Sequence, residues 1–147
     1  MKIREFLQHS RQRLVTCLPE ATLNTVAKLL YQHSIGAMPV CEIRGKMIGV
    51  ISERDLVRVF ARIDLSELQF LRASDVMTTQ VVTCTPDDAV KTAQKLMLVH
   101  HFRHIPVIQD DKVTAMLSLR DIMSLRLEES ESEMNFLRDV VVAARYQ

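Results

Sequence analysis

The chain of 147 residues has no tryptophan, only three glycines and 5% aromatic residues. Its three cysteines are an odd number and form no Cys-x-x-Cys pair, so neither a disulfide framework nor a structural zinc site is expected. The charges of the 19 basic and 18 acidic residues nearly cancel. This argues against a positive electrostatic field that would attract nucleic acid or an anionic membrane. No apolar run reaches transmembrane length, and the opening MKIREFLQHSR is too charged for a signal peptide. We therefore expect a cytoplasmic protein with no nucleic-acid or membrane partner.

What the chain does contain is an internal repeat. The stretch LVTCLPEATLNTVAKLLYQHSIGAMPV at 14–40 aligns with VVTCTPDDAVKTAQKLMLVHHFRHIPV at 81–107. One residue is then lost in a turn, after which ISERDL at 51–56 matches LSLRDI at 117–122. A single gap, placed where a hairpin turn tolerates one, favours a true duplication.

Each repeat predicts the order β-α-β-β-α. An extended VTC leads through a proline into an amphipathic helix, two apolar runs joined by a polar turn predict a hairpin, and a second helix begins at Ser-x-Arg-Asp. A unit of about 50 residues can hardly build a core alone. We therefore predict an α/β (α+β) fold in which two such units pack, sheet against sheet, as a pseudo-two-fold pair with flanking helices. The predicted segments are a first repeat with the N-terminal segment (1–61), a linker helix and lead-in (62–80), a second repeat (81–127) and a C-terminal helix (128–147).

These units resemble paired cystathionine-β-synthase (CBS) domains, a pair often called a Bateman module. The phrases GVISERDLVR, ASDVMT, VVTCTPDDAV and HHFRHIPV carry the resemblance, which spans roughly 1–128. More narrowly, the chain resembles stand-alone bacterial CBS-pair proteins, which have no attached enzyme or transporter. The chain departs from the family pattern at two places. The family glycine is kept as Gly49 in the first repeat, but its equivalent in the second repeat is Ala115. The first repeat has Gly36-Ala37 where the family places bulky or basic residues.

The repeated Ser-x-Arg-Asp has two interpretations. A Ser followed three residues later by an acid is close to a capping box, which stabilises a helix start. The same geometry suits a ligand, because a helix N-terminus holds phosphate, Arg adds a charge-assisted contact and Asp accepts from ribose hydroxyls. The two interpretations are compatible, and both remain open at this point.

The resemblance implies an adenine nucleotide in the cleft between the repeats, at two related sites. The first implied site consists of Ser52, Arg54, Asp55, Thr83, Thr85, Arg103 and His104, with Val82 and Ile105 as the apolar slot for the base. The second consists of Ser118, Arg120, Asp121, Thr16, Leu18, Gly36 and Ala37, with Val15 and Met38 as the slot. The first site is richer in cationic groups and is the predicted phosphate site, whereas the second has room but little charge.

The resemblance therefore implies a regulatory sensor with no obligatory cofactor. AMP is the foremost ligand, with ATP, NAD(H) and S-adenosylmethionine as further candidates, and a homodimer formed by packing helices and a regulated protein partner are expected. We predict no enzyme, because the chain has neither a Gly-rich phosphate loop nor a nucleophile elbow. The alternative is a structural or interaction module in which helix caps replace the ligand sites and the tail 128–144 is the partner surface.

Two further clusters have simpler interpretations. His100, His101 and His104 have a spacing that could share a metal ion, but no Cys, Asp or Glu completes the set locally, so no metal is predicted. Arg54, Arg58 and Arg62 lie four residues apart and form a basic stripe, for which a solvated helix face is the favoured interpretation.

Overall fold

The computed structural model describes residues 1–10 and 12–145 and has a mixed α/β fold, as predicted. The first half contains α1 (Ile3–His9), α2 (Leu23–Gln32), β1 (Ala37–Cys41), β2 (Met47–Ser52) and α3 (Glu53–Arg62). The second half contains α4 (Leu65–Leu68), α5 (Ala73–Val76), α6 (Val90–His100), β3 (His104–Gln109), β4 (Lys112–Ser118) and α7 (Leu119–Arg145). The helix, hairpin and helix predicted for each repeat are therefore all present.

The two hairpins differ at their turns, which explains the lost residue. Strands β1 and β2 pair antiparallel around a wider turn in which Gly45 takes a positive φ of 88°. Strands β3 and β4 are joined by Asp110-Asp111 alone, both with positive φ, the conformation of a tight type I′ turn. The deletion thus shortens a solvent-exposed turn and leaves both hairpin registers intact.

The predicted leading strand of each repeat is shorter than expected. It consists of one parallel bridge, Cys17 to Val40 in the first repeat and Cys84 to Val107 in the second. In the first repeat Cys17 N–H donates to the carbonyl of Pro39 at 3.1 Å, and Cys41 N–H donates to that of Cys17 at 2.9 Å. A longer ladder would next need N–H donors from Pro39 and Pro19, which proline lacks, so the pairing stops after one residue.

Helix α1 packs into the core of the second repeat, and helix α5 packs into the core of the first. Ile3 and Phe6 of α1 are buried in the core of the second repeat, whereas Ala73, the first residue of α5, is buried in the core of the first. Equivalent backbone bonds hold the two segments, from Ile3 N–H to the Asp88 carbonyl at 2.9 Å and from Ala73 N–H to the Ala21 carbonyl at 2.8 Å. The sequence boundary placed 1–61 in one unit, but the start of that segment completes the other unit's core.

The last two predicted helices are one. Helix α7 runs without interruption from Leu119 to Arg145 over 27 residues, since this segment contains neither Gly nor Pro to end it. Residues 126–145 are exposed on every side of this helix. The linker helix predicted within 62–80 is instead two single turns, α4 and α5. The final two residues of the predicted C-terminal helix, 146–147, lie outside the described residues.

Candidate ligand site between the two repeats

The first Ser-x-Arg-Asp forms a complete capping box at the start of α3. The Asp55 Oδ2 accepts from Ser52 N–H at 2.8 Å and from Ser52 Oγ at 3.0 Å, while Asp55 N–H donates to Ser52 Oγ at 3.3 Å. Arg58 Nη1 donates to the other carboxylate oxygen at 3.3 Å. The Asp55 side chain is only 5% exposed, so these bonds compensate a carboxylate that burial removes from water.

The second motif forms a cap with two of the three equivalent bonds. Ser118 Oγ donates to Asp121 Oδ2 at 2.7 Å, and Asp121 N–H donates to Ser118 Oγ at 3.1 Å. Gln12 Nε2 also donates to Asp121 Oδ2, which brings the N-terminal segment against the second motif. Asp121 is half-buried, so its carboxylate is more accessible than that of Asp55.

The first motif lines a cavity of about 400 Å³ between the repeats, which we name the Ser52 cavity. From the first repeat it receives the N-terminal turn of α3, including Ser52, Arg54 and Asp55. From the second repeat it receives Val82 together with Arg103 and His104 at the start of β3. Six of the residues predicted for the first site therefore meet around one space.

The second motif borders a wider cleft of about 1610 Å³, which we name the Asp121 cleft. Its walls include five of the residues predicted for the second site, together with the slot residue Val15; the five are Ser118, Arg120, Asp121, Gly36 and Ala37. Gly36, Ala37, Glu53, Arg103 and His104 line both spaces, so the two sites share a wall.

His104 is the centre of that shared wall. A Cβ added to Gly36 would lie 3.1 Å from His104 Cε1, so the imidazole fills the space that the glycine leaves. His104 of the second repeat thus takes up part of the room predicted at Gly36-Ala37, while both residues still line the Asp121 cleft. Burial lowers the pKa of His104; the carboxylates of Glu53 and Asp121 oppose this shift and Arg103 adds to it. The neutral imidazole is therefore favoured at this position.

Six predicted residues lie outside both cavities. Met38 and Ile105 are fully buried in the two hydrophobic cores, because β1 and β3 are covered on both faces at these positions. The other four are exposed residues that flank the single-residue bridges of Cys17 and Cys84: Thr16, Leu18, Thr83 and Thr85. None of these four lines either cavity, whereas Val15 and Val82 of the same leading segments do. Thr85 N–H instead donates to Asp88 Oδ2 in the turn before α6.

The structure adds residues that the sequence did not single out. Glu53 follows Ser52 directly and lines both cavities. Its position inside the Ser-x-Arg-Asp motif could have identified it as a candidate site residue. Thr78, Gln80 and Phe102 line the Ser52 cavity, and Gln12 reaches the Asp121 cleft. No spacing signal points to these four, because they arrive through the packing of the lead-in segments and loops.

The comparison with known families decides what this architecture is. The profile of the CBS domain matches twice, at residues 3–62 and 73–128. The chain belongs to the CBS-domain family. Among curated CBS proteins it is 29% identical over 111 residues to the CBS domain-containing protein YhcV of Bacillus subtilis, covering 75% of this chain and 76% of YhcV. For the first three relatives that match, the chain spans between 60% and 76% of their length.

Solved CBS structures share the fold. The CBS-domain protein ATU1752 of Agrobacterium tumefaciens superposes with a TM-score of 0.79 at 28% identity, covering 86% of this chain and 99% of that one. CBSX2 in complex with AMP has a TM-score of 0.73 at 21% identity, covering 88% and 98%. The CBS pair of MJ0100, in complex with 5′-methylthioadenosine and S-adenosyl-L-methionine, has a TM-score of 0.77 at 21% identity, covering 88% and 98%. At this identity the last two establish the fold of the chain alone.

Within residues 1–10 and 12–145, no group of three or more His, Cys, Asp or Glu side chains is placed to hold a metal ion. In the same part of the chain no helix has both the length and the apolar character needed to span a bilayer.

Proposed function

We propose that this CBS pair is a regulatory sensor that binds an adenine nucleotide, foremost AMP, in the Ser52 cavity. The observation that carries the proposal is the meeting of two repeats around one space. The first turn of α3, with Arg54, faces Arg103 and His104 across a cavity of about 400 Å³. This volume lies in the range of about 300–1,000 Å³ that is typical of small-molecule sites.

The groups around the cavity suit the parts of a nucleotide. The guanidinium groups of Arg54 and Arg103 are exposed and can form charge-assisted bonds with a phosphate. One oxygen of Asp55 bonds only to Arg58, at 3.3 Å, and keeps capacity for a ribose hydroxyl. Val82 and Ala37 supply apolar surface for the base. A ligand therefore adds to the capping box and does not have to break it.

Relatives support the ligand class. CBSX2 was solved with AMP, and MJ0100 with 5′-methylthioadenosine and S-adenosyl-L-methionine. These three ligands share an adenosyl group, which is the common element we propose for this chain. ATP and NAD(H) carry the same group and belong in the same test. The Asp121 cleft is the second subsite and takes a nucleoside portion or stays empty.

Binding between the repeats gives the site a regulatory use. A ligand that contacts both repeats favours whichever relative orientation gives it more contacts, and a protein partner that distinguishes the orientations then responds to the ligand. The expected role is therefore regulation of a partner, not catalysis, with the module acting as a homodimer.

The first experiment is a thermal-shift series with AMP, ADP, ATP, NAD, NADH and S-adenosylmethionine. At 100 times its dissociation constant a specific ligand adds about 2.7 kcal/mol to the free energy of unfolding. For a chain of this size this corresponds to a rise in melting temperature of roughly 5–11 °C.

Calorimetry then compares Arg54→Ala with the matched Arg120→Ala at the other motif. Loss of one charge-assisted contact should weaken AMP roughly 10- to 100-fold in the first variant only. Equal affinities in both variants would remove the assignment to the Ser52 cavity.

The second candidate is the structural or interaction module. The observation that favours it is the completeness of the caps: Ser52 and Asp55 satisfy each other without a ligand. In that case all six compounds fail to shift the melting temperature at millimolar concentration, and Arg54→Ala leaves both folding and partner capture unchanged.

A further inference from the structure

The second half of helix α7 carries an apolar stripe that none of the residues 1–10 and 12–145 covers. Its residues from 126 to 145 are all exposed and extend about 30 Å at 1.5 Å per residue. Met134 is 60% exposed and Leu137 57% exposed. Most helical stability in proteins comes from packing an apolar face, so an unpacked helix of this length is marginal in water. The stripe therefore needs a partner.

The spacing of the stripe is that of a coiled coil. From Met134 to Ala144 the apolar positions alternate between three and four residues apart, which is the a/d pattern of the heptad repeat. In this register the seam consists of Leu127, Ser130, Met134, Leu137, Val141 and Ala144. Ser130 is the single polar member. In a parallel coiled coil, leucine at the d position Leu137 and β-branched valine at the a position Val141 favour two strands.

The seam faces away from the body of its own chain. Ile122 is fully buried in the core of the second repeat, and Leu125 packs against that core. At about 100° per residue these two lie on the c and f side of the helix, opposite the a/d seam. A second helix can therefore lie along the seam while both CBS pairs point outward.

The charges beside the seam identify the partner as a second copy. In a parallel pair, a g position of one helix faces the e position five residues later in the other. Arg126 then faces Glu131 of the second copy, and Glu133 faces Arg138, so both contacts join opposite charges. Within its own helix Arg138 has no acid three or four residues away, where it finds only Met134, Asn135, Val141 and Val142. An acid at contact spacing is therefore supplied across the seam, by Glu133 of the second copy.

We propose that two copies of the chain associate through residues 127–144 of α7 as a parallel two-stranded coiled coil. The association is independent of nucleotide binding. It fixes the two CBS pairs side by side at one end of a common helical stalk. An antiparallel pair would keep only the contact of Glu131 with Arg138 and is the less complementary arrangement.

Disulfide trapping in the full-length chain tests the orientation. Ser130→Cys lies at a d position, so a parallel pair brings the two new thiols together and mild oxidation yields a covalent dimer. An antiparallel pair places residue 130 opposite residue 141, and only a mixture of Ser130→Cys and Val141→Cys would then cross-link. The native thiols do not interfere, since all three are buried and burial raises their pKa, to about 11 for Cys17 and about 12 for Cys84.

Analytical ultracentrifugation of a matched pair of variants tests the seam itself. Leu137→Asp places a charge in the seam and should raise the dimer dissociation constant at least 10-fold. Phe136→Asp changes the neighbouring exposed residue, 68% exposed and outside the seam, and should leave the constant unchanged. The proposal is overturned if the two variants sediment alike, or if Ser130→Cys gives no covalent homodimer while the mixture does. A seam that binds only a different protein would also leave the purified chain monomeric near 16.9 kDa, and that outcome overturns the proposal too.

Discussion

The imidazole of His104 in the second repeat packs against the backbone of Gly36 in the first. A Cβ on residue 36 would lie 3.1 Å from His104 Cε1 and 3.4 Å from its Nε2. Equivalent backbone bonds flank this contact in the two repeats, from Glu53 N–H to the Gly36 carbonyl at 2.9 Å and from Leu119 N–H to the Arg103 carbonyl at 2.8 Å. This contact lies at the centre of the wall that the Ser52 cavity and the Asp121 cleft share.

Replacing Gly36 by alanine should test the contact between His104 and Gly36. The backbone of Gly36 does not need a glycine conformation, so the only penalty is the displacement of His104, about 0.5–1.5 kcal/mol for a side chain pushed off its rotamer. Urea denaturation of Gly36→Ala, His104→Ala and the double variant should give a coupling energy of that size. Additive losses in the double variant would mean that the two residues do not constrain each other.

His104 should also make stability depend on pH. Burial lowers its pKa in the folded chain below the ordinary value of 6.5, so the unfolded chain binds the proton more readily. Stability is then complete above about pH 6.5 and falls as the pH drops toward the folded value. Melting temperatures from pH 7.5 to 5.5 should fall further for the natural chain than for His104→Gln, which keeps a similar shape without titrating. Parallel curves for the two proteins would contradict this expectation.

Gly49 should resist substitution although its counterpart is an alanine. A Cβ at residue 49 would lie 2.6 Å from Met77 Sδ and 2.9 Å from the Thr78 carbonyl oxygen. The second contact is with backbone that pairs with Val50, so it cannot move aside freely. Gly49→Ala should therefore lower the free energy of unfolding by about 1–3 kcal/mol, as other overpacked sites do.

A matched control for Gly49→Ala is the reverse change in the second repeat. Ala115→Gly at the equivalent strand position removes one methyl group and should cost less than the Gly49 substitution. Denaturation of Gly49→Ala in a Met77→Ala background should recover only part of the loss, since the carbonyl contact persists. Full recovery would show that the Met77 side chain alone was responsible.

Replacing Phe6 should test whether α1 stabilises the second repeat. It is 5% exposed and lies in the core of the second repeat, far along the sequence from its neighbours there. Phe6→Ala should cost about 3–5 kcal/mol, which is typical of a buried phenylalanine. Hydrogen exchange should accelerate first in α6 and β3 and only later in α2 and β1. Faster exchange confined to the first repeat would show that α1 belongs there instead.

Much of this fold could be predicted from local patterns. These patterns give the capping boxes at Ser52 and Ser118 and the two hairpins with their flanking helices. Each of these features depends on residues a few positions apart, where propensity and turn chemistry act directly. The start of α3 was predictable for the same reason, and it places Ser52, Arg54 and Asp55 beside one cavity. The threonines beside Cys17 and Cys84 lie outside both cavities, which depends on how the leading segments pair with another strand and not on a local pattern.

The sequence by itself determined the duplication, the CBS fold and the chemistry at the start of each second helix, since repeat spacing and capping are properties of neighbouring residues. Only the tertiary structure decided which residues share a cavity, that His104 fills the space at Gly36, and that α1 completes the core of the opposite repeat. These features depend on contacts between residues tens of positions apart. Burial and close packing select such contacts, and no local pattern in the sequence encodes them.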